Sequence, residues 1–360
     1  MANEMANEMT AEVAVDDKQP ITVDLIVTHI RPHFDELLGI YLLKYYGENF
    51  FPGVGEACIE TWGEGKILDE YAGKTADDLL AEQKILFVGI CDGMFDEHKE
   101  GSKAPTSAHL VAEYLSVVNK LELQKILKFC KRVDYDANSM SFDLHTIIKE
   151  MYDFYGDGDE GMQNVFGWAM SAIHAHIYGQ VLFHSCKQDF SKSGKILSGP
   201  GVRIAMVKSD NSKMNKWIRY KFDSPEVIIQ KHSTGHMIIL TSPQIALDFR
   251  DVVRIVRMRE FQKSDLAIPK WQILESPGNI PGSPWYFYEQ GNQLLNGSLT
   301  SPEVMPSKLS LKEVAGAVAL ACTPLIDPCQ NEKCRGQRCE NYGLGLKSCR
   351  KKRYELYHHK

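Results

Sequence analysis

At 360 residues and 44% hydrophobic content, the chain has room for two domains and too large an apolar fraction to be disordered throughout. A formal net charge of −6 argues against broad, sequence-blind adhesion to nucleic acid, while leaving room for a local basic groove. The acidic start, Met1 to Asp17, repeats MANEMANEM without the basic and apolar regions of a signal peptide, so residues 1–20 read as a disordered leader on a cytoplasmic protein.

From there the first half alternates strand and helix candidates: Val23–Val27, Glu36–Tyr46, Ile59–Thr61, Ala76–Gln83 and Ile85–Ile90. Such alternation predicts a parallel sheet with helices on its faces, and the unbroken apolar run Ile85–Ile90 suits a strand covered on both sides. Helices are expected at 107–115 and 121–130. The uncharged span Gly161–Cys186 is long enough for a bilayer. Its polar interruptions and the helical spacing of Val165, Ala169, Ile173 and Ile177 favour a buried helix and no membrane contact. A Ser/Gly/Lys-rich stretch at 191–201 marks the expected boundary between a domain at 21–190 and a smaller α+β domain at 202–321. In the latter, Val227–Gln230 and Met237–Leu240 read as a hairpin, Ile268–Pro284 as loop and Leu311–Ala321 as a helix.

Three polar turns carry the chemistry. The first, from Thr28 to Glu36, follows a strand and offers His29, His33 and Asp35. A helix cap needs one such residue, and this turn has two imidazoles and two carboxylates. The second, after Ile85–Ile90, offers Asp92, Asp96, Glu97 and His98. The third, after a helix, offers Asp134 and Asp136. Imidazole with carboxylate is the ligand set of a borderline or hard divalent ion, and an inventory of this size suits a centre of two ions.

These turns resemble the motifs of the DHH phosphoesterase superfamily, and especially its melanocyte-proliferating-gene branch. His29, His33 and Asp35 fit the spacing of the first motif, one residue shorter between the histidines than the branch's version. Phe95-Asp96-Glu97-His98 is similar to the DHH signature, with Glu97 where its first His stands. Val133-Asp134 is similar to the fourth motif. The strand-end Asp of the second motif has no counterpart within Ile85–Ile90, and Asp92 is the nearest substitute. The resemblance implies a Mn-dependent centre of one or two ions, with His29, His33, Asp35, Asp92, Asp134 and Asp136 as ligands and Asp96, Glu97 and His98 as catalytic groups. It implies a second domain that holds phosphate or nucleotide, with Ser233, Gly235 and His236 in a tight glycine turn and Asn296, Gly297 and Ser298 in another.

The tail, 322–360, has the spacing C-x4-C-x4-C-x9-C over Cys329, Cys334, Cys339 and Cys349. That pattern reads as a structural Zn or iron–sulfur site. The expected function is hydrolysis of a phosphodiester or phosphomonoester, in a short RNA or a nucleotide, by two-metal activation of water. The alternative is a DHH-like nucleotide- or nucleic-acid-binding regulator without turnover.

Overall fold

A computed structural model describes residues 20–63, 66–199, 202–241, 249–297 and 301–322. The leader, Ser298 and the four tail cysteines lie outside the described residues. The chain divides into two compact units, 1–181 and 182–360.

In the first unit, β1 (Leu25–His29) lies between β2 (Cys58–Trp62) and β3 (Ile85–Phe87), all parallel, with Val27 opposite Glu60 on one side and Phe87 on the other. Period-two alternation sends Ile26 and Leu86 to one core, and Val27, Ile85 and Phe87 to the other. Both faces are apolar, as an all-parallel sheet requires. Helix α1 (Phe34–Tyr46) connects β1 to β2, and α2 (Ala76–Gln83) connects β2 to β3. Strand order 2-1-3 places a topological switch point between β1 and β3, because the chain passes from β1 to β2 on one side and then crosses to β3 on the other. Open α/β sheets bind ligands at such crevices.

The first unit continues through α3 (Ser107–Tyr114), α4 (Gln124–Val133) and α5 (Leu144–Tyr155) into α6 (Asp159–Ser193). In α6, Val165, Ala169, Ile173 and Ile177 recur every fourth residue as a buried stripe. Among the described residues, no helix is long and apolar enough to cross a membrane.

The second unit holds a mixed sheet, β4-β5-β6-β7-β9-β8, built from Lys195–Gly199, Val202–Lys208, Val227–Lys231, Met237–Thr241, Gln293–Asn296 and Tyr286–Tyr288 in that order. Only β5 and β6 run parallel, joined through α7 (Met214–Lys221). Helices α8 (Arg250–Lys263) and α10 (Leu311–Cys322) share a core with Ile204, Ile229 and Ile239. Ala205, Val207 and Ile228 pack instead with Trp217 and Cys186. A short α9 (Trp271–Leu274) interrupts the Pro-rich loop. The stretch 191–201, expected as a linker, contains the end of α6 and the edge strand β4.

Candidate metal centre

The site is assembled from the carboxyl ends of β1 and β3 and the ends of two helices. His29 closes β1, and the chain turns through Arg31, held at φ +56°. A non-glycine residue in that left-handed conformation carries a backbone cost that its surroundings offset. Two anchors hold this turn. Arg31 is bound by Asp153 (2.7 Å) and Asp157, and the Tyr152 hydroxyl donates to the Pro32 carbonyl at 3.0 Å. The turn therefore rests on α5 and the residues that follow it.

His33 is the N-cap of α1, and its backbone N–H donates to Glu36 Oε2 at 2.7 Å. Acidic residues in a first helical turn are favoured by the helix dipole and are usually solvated. Here Asp35 and Glu36 are 1% and 3% exposed, and such carboxylates need partners. Ser107 Oγ, from α3, donates to Asp35 Oδ2 at 2.8 Å, while Asp35 Oδ1 has no hydrogen-bond partner. Glu36 Oε1 lies 3.1 Å from His29 Nε2, and His29 Nδ1 lies 2.7 Å from the Ile30 carbonyl. A proton on Nδ1, donated to that carbonyl, leaves Nε2 as the coordinating nitrogen, the arrangement typical of metal-ligating histidines.

Three overlapping triads each bring one ligand atom per residue within 4.8 Å of the others: His29–His33–Glu36, His33–Asp35–Asp134 and Asp35–Glu36–Glu97. His33, Asp35 and Glu36 each belong to two of them, so the triads share ligand atoms and would hold one or two ions. Asp134 arrives as the C-cap of α4. Glu97, expected as a catalytic group, offers its carboxylate as a ligand atom beside Asp35 and Glu36.

The electrostatics suit a cation. Burial, reinforced by the charge of Asp35, lifts Glu36 to about 8. The same two causes lift Glu97 to about 7 and Asp134 to about 6. Burial opposes charge on His29, but the hydrogen bond and charge of Glu36 outweigh it and raise the imidazole to about 9. Burial and the neighbouring His29 charge push His33 down. Protons thus take the place of positive charge. Together with the unpartnered Asp35 Oδ1 and the unpartnered Glu97 Oε2, the donor set fits a hard or borderline divalent ion.

Several expected site residues lie outside the triads. Asp96 is buried, and its two oxygens accept from Asp92 N and His98 N, both at 3.0 Å, so it closes its own turn. Asp92 is exposed and sits with Cys91 at positive φ in that turn. Asp136 is exposed past the end of α4. The His98 side chain is 82% exposed, with Nε2 3.4 Å from Glu97 Oε1. Ile85–Ile90 contributes no carboxylate, and Gly89 in that run faces the Glu36 side chain. Glu36 was absent from the expected ligands, and three residues after the N-cap it stands where a capping box places a Glu. It fills that role and joins two triads as well.

In the second unit, the expected substrate residues are largely engaged. Asn296 is fully buried, donating from Nδ2 to the Pro284 and Met305 carbonyls and accepting from Ser307 N. His236 is occupied on both nitrogens, by Thr234 Oγ1 (2.9 Å) and the Val304 carbonyl (2.7 Å). Gly297, at φ +70°, lets the backbone pass against the His236 ring. Ser233 is exposed, with its N–H donating to Asp210 Oδ1 at 2.8 Å, and Gly235 turns at φ +93°. Asn296 and His236 thus both hold the 304–307 segment in place, and among the described members of the two turns Ser233 is exposed.

No protein-family model matches the chain, and no curated protein matches it. Among solved structures, the crystal structure of an uncharacterized protein from Helicobacter pylori G27 aligns over 84% of this chain and 99% of its own, at 9% identity and a TM-score of 0.22.

Proposed function

We propose that the chain is a metal-dependent phosphoesterase of the DHH type, acting on a phosphodiester or phosphomonoester in a nucleotide or short RNA. The observation that carries this reading is a chain of three ligand triads linked through His33, Asp35 and Glu36, in which Asp35 is a buried carboxylate with one oxygen left unpartnered. His29, His33, Asp35, Glu36, Glu97 and Asp134 would hold one or two divalent ions, Mn being the expected metal. Bound ions supply charge neutralisation on the phosphoryl group and lower the pKa of a water. The chain's own residues orient that chemistry. Ser107 fixes the Asp35 carboxylate, the Ile30 carbonyl sets the His29 tautomer, and the Arg31 anchors hold both histidines in register.

The test is metal content after purification, followed by hydrolysis of bis(p-nitrophenyl) phosphate with Mn, Mg, Co or Zn. Turnover that requires a metal and is lost on chelation supports the proposal. Absence of turnover with every metal, in protein that binds Mn, favours a regulator that binds nucleotide or nucleic acid without cleaving it. The exposure of His98 is the observation that favours this second reading.

A further inference from the structure

One buried polar group beside the triads is not used by them. His145 lies in the first turn of α5 and is 6% exposed, yet its Nδ1 is buried without a hydrogen-bond partner. Leaving such a nitrogen unpaired is costly. Its ring is 6.3 Å from that of His33, tilted by 58°, but His145 belongs to none of the three triads. It thus neighbours the ligand His33 without belonging to a triad. The turn that carries it is fixed by Asp143, which accepts from Thr146 N at 3.1 Å and Met140 N at 2.9 Å. One helical turn on, at the i+4 position, comes Lys149, an exposed cation whose charge is felt by His33, Asp134 and His145. Lys149 forms no salt bridge among the described residues, although carboxylates crowd the site.

We propose that His145 and Lys149 form the phosphate-binding side of the centre, with His145 Nδ1 donating to a phosphoryl oxygen of the substrate and Lys149 balancing its charge. This rests on the metal-centre reading above. An imidazole N–H and an ammonium on one helix face supply the two kinds of donor that an anionic oxygen accepts most strongly. Neither residue would ligate the ion. Both would act on the group the ion holds.

The experiment uses the full chain loaded with Mn, and inorganic phosphate as the probe. Mn affinity is read by electron paramagnetic resonance, and phosphate affinity by titration calorimetry. For His145→Ala, phosphate should bind about tenfold or more weakly, the scale of a lost charge-assisted hydrogen bond, while Mn affinity holds within about twofold. His145→Asn places an amide nitrogen near the position of Nδ1 and should retain most phosphate affinity, which a purely structural role would not predict. Lys149→Met, on the surface, should weaken phosphate a few-fold and reduce the salt dependence of binding, on the order expected for one exposed charge. Unchanged phosphate affinity in His145→Ala overturns the proposal. Loss of Mn from that variant also overturns it, by making His145 a ligand. If His145→Ala fails to fold, phosphate affinity in His145→Asn as weak as in His145→Gln overturns it too. Wild-type protein that takes up no Mn removes the metal-centre reading itself, an outcome distinct from the others.

Discussion

A Cβ built on Gly89 would lie 2.6 Å from Cγ of Glu36 and 2.9 Å from its Oε1. Gly89 also sits at φ +74°, where a side chain adds backbone strain. The glycine after β3 and the carboxylate from α1 are therefore matched. Gly89→Ala is expected to destabilise the first unit by about 1–3 kcal/mol through overpacking and strain. It should also weaken Mn binding by displacing Glu36. Denaturant unfolding and Mn titration check the two effects separately, and an alanine variant with wild-type Mn affinity would disprove the coupling.

Asp35→Asn and Asp134→Asn keep side-chain volume and remove ligand charge. Each is expected to abolish Mn-dependent phosphoester hydrolysis, with a circular dichroism spectrum like that of the wild type. Asp35→Asn should be the more severe for Mn uptake, because Asp35 serves two triads and Asp134 one. Equal Mn stoichiometry in wild type and Asp35→Asn would rule out Asp35 as the shared ligand.

The raised carboxylates and His29 make the metal-free centre less stable as pH rises, against the opposite contribution of the lowered His33. Glu36, Glu97, Asp134 and His29 all bind protons more tightly folded than unfolded, at about 8, 7, 6 and 9 respectively. Their contribution to stability is fully present below the unfolded values and is lost as pH rises through the folded ones. Chelator-treated protein should therefore lose stability between about pH 5 and pH 9, and Glu36→Gln should flatten that loss. Added Mn should reverse the trend, since it competes with the same protons and binds more tightly as pH rises. Urea midpoints across this range, with and without Mn, decide the matter.

In the second unit, Arg257 is fully buried, and its guanidinium donates to the carbonyls of Leu274, Ser276, Gly278 and Trp285. Burial pulls it down to about 10, still far above neutrality. Arg257→Met leaves four carbonyls without their donor and is expected to cost about 3 kcal/mol or more. Asn296→Ala should likewise destabilise, by about 2 kcal/mol, because it strips three hydrogen bonds from a fully buried position. Thermal unfolding measures both. An Asn296→Ala variant of unchanged stability would return that residue to the substrate-binding role read from its turn.

The legible parts of the chain were those set by local pattern. Apolar runs located β1, β3, β6 and β7, and the fourth-residue stripe of α6 was visible as Val165 to Ile177. His29, His33, Asp35 and Asp134 could be picked out because each stands in a polar turn at the end of a strand or helix. Turn chemistry alone could not show which carboxylates a turn spends on itself. Asp96 closes its own loop, and Asp92 and Asp136 face water. His145 gave no signal, since a lone histidine opening a helix has no motif, and its value depends on a contact with His33 more than a hundred positions away. The turn around Gly297 showed its glycine, but not that the glycine makes room for a histidine ring.

The two anchors on the turn after β1 have a kinetic consequence. Arg31 and Pro32 are held by residues 152–157, and the ligands themselves span 29 to 134. The His29–His33–Glu36 triad is local, but the full centre is not, because bringing Asp134 to Asp35 closes a loop of about a hundred residues. Such long-range contacts form slowly. Metal capture should then coincide with completion of the first unit, well after its helices appear. An ion that recognises only the finished arrangement favours it by mass action, so Mn present during refolding would draw the slowest-forming contacts to completion.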